Sequence, residues 1–372
     1  MSFIKEIARY SWNEISEQIY ICTDRDVERA IAKQQLNMND FMALVSPAAE
    51  KYIESLATLS QKYTRQRFGK TVQLYVPLYL SNECVNHCVY CGFNHNNPIK
   101  RIILNDKQIL EEVKAIKEMG GFEHILLVTG ESPNKAGMEY IENAINLVKP
   151  YFSSVSIEVQ PLQQEEYETL IQAGLHSVYC YQETYNKERY KVYHPKGIKS
   201  DFDWRLNTFE RMGAAGIHKM GLGILIGLED WRTDAVFMAL HLRYLQKQFW
   251  RTKYSISFPR MRPHEGNDFQ PNVLMTDKQL AQLIFAFRMF DHDVEIALST
   301  RENESFRNNM MSLGITTLSA GSKTDPGGYT AKIITELEQF AVNDSRTPSQ
   351  ILQSIRNNHY EAVWKDWDKA LW

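Results

Sequence analysis

Eight short apolar runs alternate with helix-length amphipathic segments, and this alternation leaves few folds open to the chain. The runs centre near Val72, Ile125, Val155, Val178, Met220, Tyr254, Val294 and Ile315. Runs that are apolar on both faces suit strands covered on both sides, as in a buried parallel sheet. A helix between successive strands makes right-handed βαβ units. Eight such units over about 250 residues match an α/β fold of the closed (β/α)8 TIM type. A doubly wound open sheet is the rival, and the count of eight favours the barrel. On this reading residues 1–70 form a helical N-terminal extension, 71–322 the barrel, and 323–372 a C-terminal loop and helical tail.

Local signals agree with that plan. "DVERAIAKQQL" and "AAEKYIESLATLSQKYTRQRFG" carry helical periodicity, and "TVQLYVPLYL" is β-branched and aromatic like a strand. In "NDKQILEEVKAIKEMGG", Asn105 or Asp106 can cap a helix whose apolar face is Ile109, Val113 and Ile116, and Gly120 ends it. The tail "SQILQSIRNNHYEAVWKDWDKALW" reads as one aromatic helix.

Composition narrows the class of function. The chain has 372 residues, 44% hydrophobic and 23% charged, with net charge −3, which describes a folded soluble protein without a basic surface for nucleic acid. Its start lacks the apolar core of a signal peptide, and its most apolar stretch, "GLGILIGL", is too short to span a bilayer. A cytoplasmic location is the expectation. Five cysteines in so long a chain do not make a disulfide scaffold, and clustered thiols in a reducing compartment read as metal ligands or catalysts.

Barrels of this type carry their active sites at the C-terminal ends of the strands. Polar groups collect there in this sequence: Cys84, Cys88 and Cys91 after the first strand, Thr129-Gly130-Glu131 after the second, and Glu158 and Gln160 on the third. Tyr181-Gln182-Glu183, Glu229 with Asp230, "PRMRP", "STRE" and "SAGS" follow in turn. Thiolates bind soft metals and iron-sulfur clusters. A [4Fe-4S] cluster held wholly by protein needs four cysteines, so the three in "CVNHCVYCGF" would leave one iron open. Zinc, with His87 or His95 as a fourth ligand, and plain buried thiols are the alternatives. Cys22 and Cys180 read as inert thiols. Gly221 and Gly223 do not make a dinucleotide-binding loop, because the next glycine comes one position late.

The spacing C-x3-C-x2-C with an aromatic before the last cysteine resembles the radical S-adenosylmethionine (SAM) superfamily. That resemblance implies one [4Fe-4S] cluster per chain on Cys84, Cys88 and Cys91, with SAM on the open iron and a 5′-deoxyadenosyl radical as the abstracting species. It implies further SAM contacts at Gly130 and Glu131, at Glu158, at Glu183 and at Gly223, the last in the strand-five element beside the adenine. The residue types leave open a solvated Glu131, a surface Glu183 and a Glu158 paired inside the barrel.

"LSTRE" and "LSAGSKTDPGGY" resemble the aromatic amino acid lyases within that superfamily. There an arginine and a serine hold the substrate's carboxylate, which implies Arg301 and Ser319 here, with Tyr90 beside the amino group. A planar guanidinium suits a carboxylate bidentately. Arg301 can instead pair with Glu302 or Glu304, and Ser319 can instead cap a helix or a turn. "EVQPL", "YQETYN", "YHPKG" and "SFPRMRP" extend the likeness along the chain to the tyrosine lyases of thiamine thiazole biosynthesis. That likeness implies L-tyrosine as substrate, Cα–Cβ cleavage to 2-iminoacetate and p-cresol, a complex with the thiazole synthase, and a reduced flavodoxin or ferredoxin as electron donor. Tryptophan lyase chemistry and a non-enzymatic iron-sulfur protein are the other readings. Arg260, Arg262 and His264 are candidates for the phenol end, or a structural arginine pair.

Overall fold

The computed structural model describes residues 2–262, 269–331 and 338–366. Eight parallel strands close into a barrel: β1 (Thr71–Ser81), β2 (His124–Thr129), β3 (Ser154–Glu158), β4 (Leu175–Glu183), β5 (Lys219–Ile224), β6 (Lys253–Ser257), β7 (Glu295–Leu298) and β8 (Thr317–Ser319). Each strand pairs with the next, and β8 returns to β1 with Leu74 opposite Leu318. That last pairing excludes the open sheet. Each of the eight apolar runs lies in or next to one strand.

Helices follow the strands and bury their apolar stripes against them. The helix Asp106–Met119 begins at an Asn105 capping box with Gln108 and buries Ile109, Val113 and Ile116. The N-terminal helices, from Phe3–Ile7 to Ile53–Phe68, pack outside the barrel on the helices Trp231–Gln248 and Asp277–Phe290. Buried Gln282 joins the two layers, donating to the carbonyls of Leu44 and Ser46 at 2.9 Å.

The tail departs from the single helix expected. It is a helix over Pro348–Asn357 followed by a short strand, β9 (Glu361–Val363), parallel to β1. His359 takes a left-handed φ of 60°, and Tyr360 N–H returns to the Ile355 carbonyl at 3.1 Å, so the helix ends there. The reason for the strand lies in β1. β2 pairs with it only from Val76 onward, which leaves the backbone groups of Thr71–Gln73 bare on that side. β9 covers this edge, and Trp364 then packs edge-on against Phe122 at 5.2 Å.

Inside the barrel, rings of β4 lie over glycines of β5. A Cβ added at Gly221 would stand 2.0 Å from the Tyr179 ring, and one at Gly223 would stand 2.5 Å from the Tyr181 ring. No side chain fits at either place without moving a tyrosine. We expect Gly223→Ala to lower the unfolding free energy by about 1–3 kcal/mol, read from the urea midpoint. An unchanged midpoint would show that Tyr181 moves aside freely.

Candidate active site

The cysteine loop leaves β1 at Ser81 and is braced by a second loop from across the barrel mouth. The segment Tyr193–Lys199 runs beside it. Val89 N–H donates to the Tyr193 carbonyl at 3.1 Å, and His87 N–H donates to that of Lys196 at 3.0 Å. Lys199 N–H donates to Asn86 Oδ1 at 2.9 Å. Gly197 makes this approach possible: its φ is +102°, and a Cβ there would lie 2.4 Å from Asn86 Oδ1. Gly130 does the same from β2, where a Cβ would meet the Glu83 carbonyl at 2.3 Å.

Cys84, Cys88 and Cys91 all line one cleft at the C-terminal ends of the strands. Burial pushes the Cys91 thiol up to about 12 and raises Cys84 and Cys88 as well. Backbone N–H groups of Asn86 and Glu131 at Cys84, and of Phe93 at Cys91, favour the thiolates in return. Among the described residues no three His, Cys, Asp or Glu side chains converge on a point that one metal ion could occupy. A cubane asks for a different arrangement, with each thiolate on its own iron, and the three sulfurs around one cleft fit that demand. His95 Nδ1 instead meets the Cys84 carbonyl at 3.1 Å, and neither His87 nor His95 lines the cleft.

Two buried ion pairs stand beside the cysteines. Arg205 Nη1 meets Glu131 Oε1 at 2.8 Å, and Asn86 Nδ2 donates to Glu131 Oε2 at 2.8 Å. Burial pushes the Glu131 carboxyl up, but the Arg205 and Lys199 charges and the hydrogen bonds from Arg205 and Asn86 outweigh it and hold it below the ordinary range. Lys199 Nζ meets Glu183 Oε1 at 2.6 Å. Glu183 follows a bulge in β4 and takes a left-handed φ of 70°, rare for a residue with a side chain, which marks strain at a site. Sequence reasoning missed Asn86, Lys199 and Arg205. Asn86 sits inside the cysteine motif and Lys199 just past "YHPKG", but neither position signals its partner across the barrel.

Arg301 faces the same cleft from the other side. Its guanidinium lies flat on the Phe340 ring, 3.5 Å from the centroid, and Nη1 is buried without a hydrogen-bond partner among the described residues. The expected alternatives for it are taken by others: Glu302 is held by Arg260 and Arg262, and Glu304 by Arg346. Arg262 Nε also donates to the Arg301 carbonyl at 3.1 Å. "SFPRMRP" is therefore an arginine pair that fixes the Arg301 loop. Neither of its arginines lines the cleft, and His264 lies outside the described residues. Ser319 serves the same loop: its Oγ accepts the Thr300 N–H at 3.1 Å, and it too is absent from the cleft wall. Gly223 lies under Tyr181, which does line the cleft. Tyr90, Gly130, Glu131, Glu158 and Glu183 all line it. Cys180 is buried in the hydrophobic core, and Cys22 donates to the Gln18 carbonyl at 3.2 Å. Phe340 and Gln339, whose Oε1 accepts from Tyr79 O–H at 2.7 Å, close the mouth from the C-terminal segment. No motif marks them.

A three-cysteine loop after the first strand of a parallel barrel, facing buried charges and an arginine in one cleft, defines a radical SAM enzyme. Residues 78–238 match the Radical SAM superfamily, and 257–361 match the Biotin and Thiamin Synthesis associated domain. The 2-iminoacetate synthase of Escherichia coli K12 is 50% identical over 361 residues, 97% of this chain and 95% of that protein. The enzyme of the same name from Salmonella typhimurium is 47% identical over 371 residues, covering 100% and 98%. The crystal structure of HydG, a maturase of the [FeFe]-hydrogenase, superposes with TM-score 0.89 at 29% identity, covering 95% of this chain and 80% of that one. The chain belongs to the 2-iminoacetate synthase family, radical SAM carbon-carbon lyases that use a [4Fe-4S] cluster and SAM.

One carboxyl in the cleft is set to titrate near neutrality. Burial and the Glu183 charge raise Glu158 to about 7 against the opposing pull of Arg301. Between an unfolded value near 4.5 and about 7, the folded chain keeps a proton that the unfolded chain has released. Stability therefore falls as pH rises through that window. Glu158→Gln removes this slope. Relative to wild type, the variant's unfolding free energy should rise between pH 5 and pH 8 by roughly 2 kcal/mol once cleft water screens part of the charge. Parallel urea curves at both pH values would contradict this.

Proposed function

We propose that this cleft holds L-tyrosine and SAM together and cleaves the tyrosine Cα–Cβ bond, giving 2-iminoacetate and p-cresol for the thiazole moiety of thiamine. The observation that carries this reading is Arg301: a cation in a cleft, stacked on Phe340, with a buried N–H left without a partner. An unpaired buried donor is costly, and a substrate carboxylate satisfies it.

Cys84, Cys88 and Cys91 would hold three irons of the cluster, leaving the fourth for SAM's amino and carboxylate groups. When bound, the cluster supplies the one-electron chemistry that turns SAM into methionine and a 5′-deoxyadenosyl hydrogen abstractor. The chain's own work is placement and exclusion of water. Glu131 keeps lone pairs free for an ammonium group, and the Arg205 and Lys199 cations stand ready for a carboxylate. Glu158 and Tyr181 wall the space between the cysteines and Arg301. Phe340 orients the guanidinium, while Ser319, Arg262 and Glu302 hold the loop beneath it. Reduced flavodoxin or ferredoxin would deliver the electron, and a thiazole synthase in complex would capture the labile imine.

Anaerobic cluster reconstitution, then reduction with SAM and tyrosine, tests the reading. We expect 5′-deoxyadenosine and p-cresol; turnover of tryptophan in place of tyrosine selects the sibling lyase, and the absence of both products overturns the proposal. Cys88→Ala should lose most of the iron. Arg301→Ala should keep its iron and weaken tyrosine binding on the order of tenfold or more; iron loss in that variant would make Arg301 structural.

A further inference from the structure

The hydroxyl of Tyr90 has a determined direction. Tyr90 is 3% exposed, lines the cleft between two of the cysteines, and stands 2.7 Å from Nε2 of His194. The other ring nitrogen, Nδ1, is 2.9 Å from the Tyr190 carbonyl oxygen, which can only accept. A neutral imidazole carries one proton. That proton is therefore on Nδ1, and Nε2 is an acceptor. Burial, with the Lys199 and Arg205 charges, holds His194 well below its ordinary pKa, so the ring is neutral. Tyr90 must give its only proton to His194. What the phenol oxygen then has left to offer is lone pairs.

Arg301, on the opposite wall, is the converse group: a guanidinium has donors and no acceptor. Both residues line one cleft, which thus has a donor-only fork on one side and, on the other, a tyrosine whose hydroxyl can only accept. We propose that His194 is a positioning residue that, as its Nδ1–H tautomer, commits the Tyr90 O–H and so makes Tyr90 the acceptor for the substrate's amino N–H. An α-amino acid fits this pair of groups in one orientation, carboxylate to Arg301 and amine to Tyr90. The reversed pose sets a carboxylate against lone pairs and an ammonium against a guanidinium. The amine is thereby held beside the cysteine loop, which carries Tyr90 between Cys88 and Cys91. This inference rests on the reading of Arg301 as the carboxylate clamp.

The test compares two ligands on the reconstituted protein with SAM bound: tyrosine, and 3-(4-hydroxyphenyl)propionate, which lacks only the amine. His194→Phe fills the same space without an acceptor and should weaken tyrosine on the order of tenfold while leaving the amine-free acid unchanged. His194→Asn keeps a group at the Nδ1 position but none at Nε2, and should behave like Phe if the Phe variant does not fold. His194→Gln places its amide at the Nε2 position and should restore tyrosine binding. In a Tyr90→Phe background, His194→Phe should add nothing, because the effect passes through the hydroxyl. Equal loss for both ligands, no loss for either, or an undiminished effect without the Tyr90 hydroxyl each overturns the proposal. Arg301→Ala separates the two readings. If it weakens both ligands while His194→Phe fails to discriminate, the positioning role falls alone; if it weakens neither, the carboxylate clamp falls first.

Discussion

Two ion pairs sealed inside the barrel mouth, Arg205–Glu131 and Lys199–Glu183, hold the rest of the site in place. A buried charge without a partner costs several kcal/mol, so each pair can persist only if both members arrive together. Glu131 comes from the end of β2, Glu183 from the end of β4, and Lys199 and Arg205 from the segment between β4 and β5. The pairs therefore stitch separate βα units at one rim. Asn86 ties the cysteine loop to both, donating to Glu131 and accepting from the Lys199 backbone. The position of the thiols is thus a consequence of charge burial as much as of the loop's own sequence. The left-handed backbone at Glu183 is held against its own preference by the same arrangement.

The opposite wall is built by a different device. Among the described residues Arg301 gains no carboxylate partner; the groups near it hold its backbone and its plane instead. Ser319 bonds the preceding residue's N–H, Arg262 bonds its own carbonyl, and Phe340 lies under the guanidinium. Asn343 and Asp344 both donate to the Thr300 carbonyl, and buried Asp344 pairs with Arg307. Rigid support with one buried donor left unsatisfied is how a protein presents an arginine to a ligand and not to itself. The C-terminal segment that supplies Phe340 and Gln339 is part of the cleft wall, though it follows the last barrel strand by some twenty residues.

Much of this was legible in the chain. The eight strands follow from apolar runs, because a parallel strand buried on both faces must be apolar throughout. The cysteine loop follows from spacing, and Arg301 from its place after the seventh strand. The tail reads as one helix but is not, because its aromatic periodicity says nothing of the bare β1 edge that draws Glu361–Val363 into a strand. Nothing in the sequence singles out Lys199 and Arg205, because single cations between strands look the same whether they face solvent or a carboxylate. The likeness implies ligand contacts at Ser319 and Gly223; the structure adds that Ser319 Oγ fastens the Arg301 loop and that Gly223 makes room for the Tyr181 ring.

By itself the sequence determined the strand-helix alternation, the three-thiol loop and the placement of polar residues at strand ends, since periodicity and spacing are local properties of a chain. Only the tertiary structure decided which charges meet, that Arg301 keeps a free donor at the cleft, and which way the Tyr90 hydroxyl points. Each of these depends on groups distant in sequence: 74 residues separate Arg205 from Glu131, and 104 separate His194 from Tyr90. Closure of the barrel brings such groups within hydrogen-bond reach, and burial then forces each to find a partner or to keep its bond for a ligand.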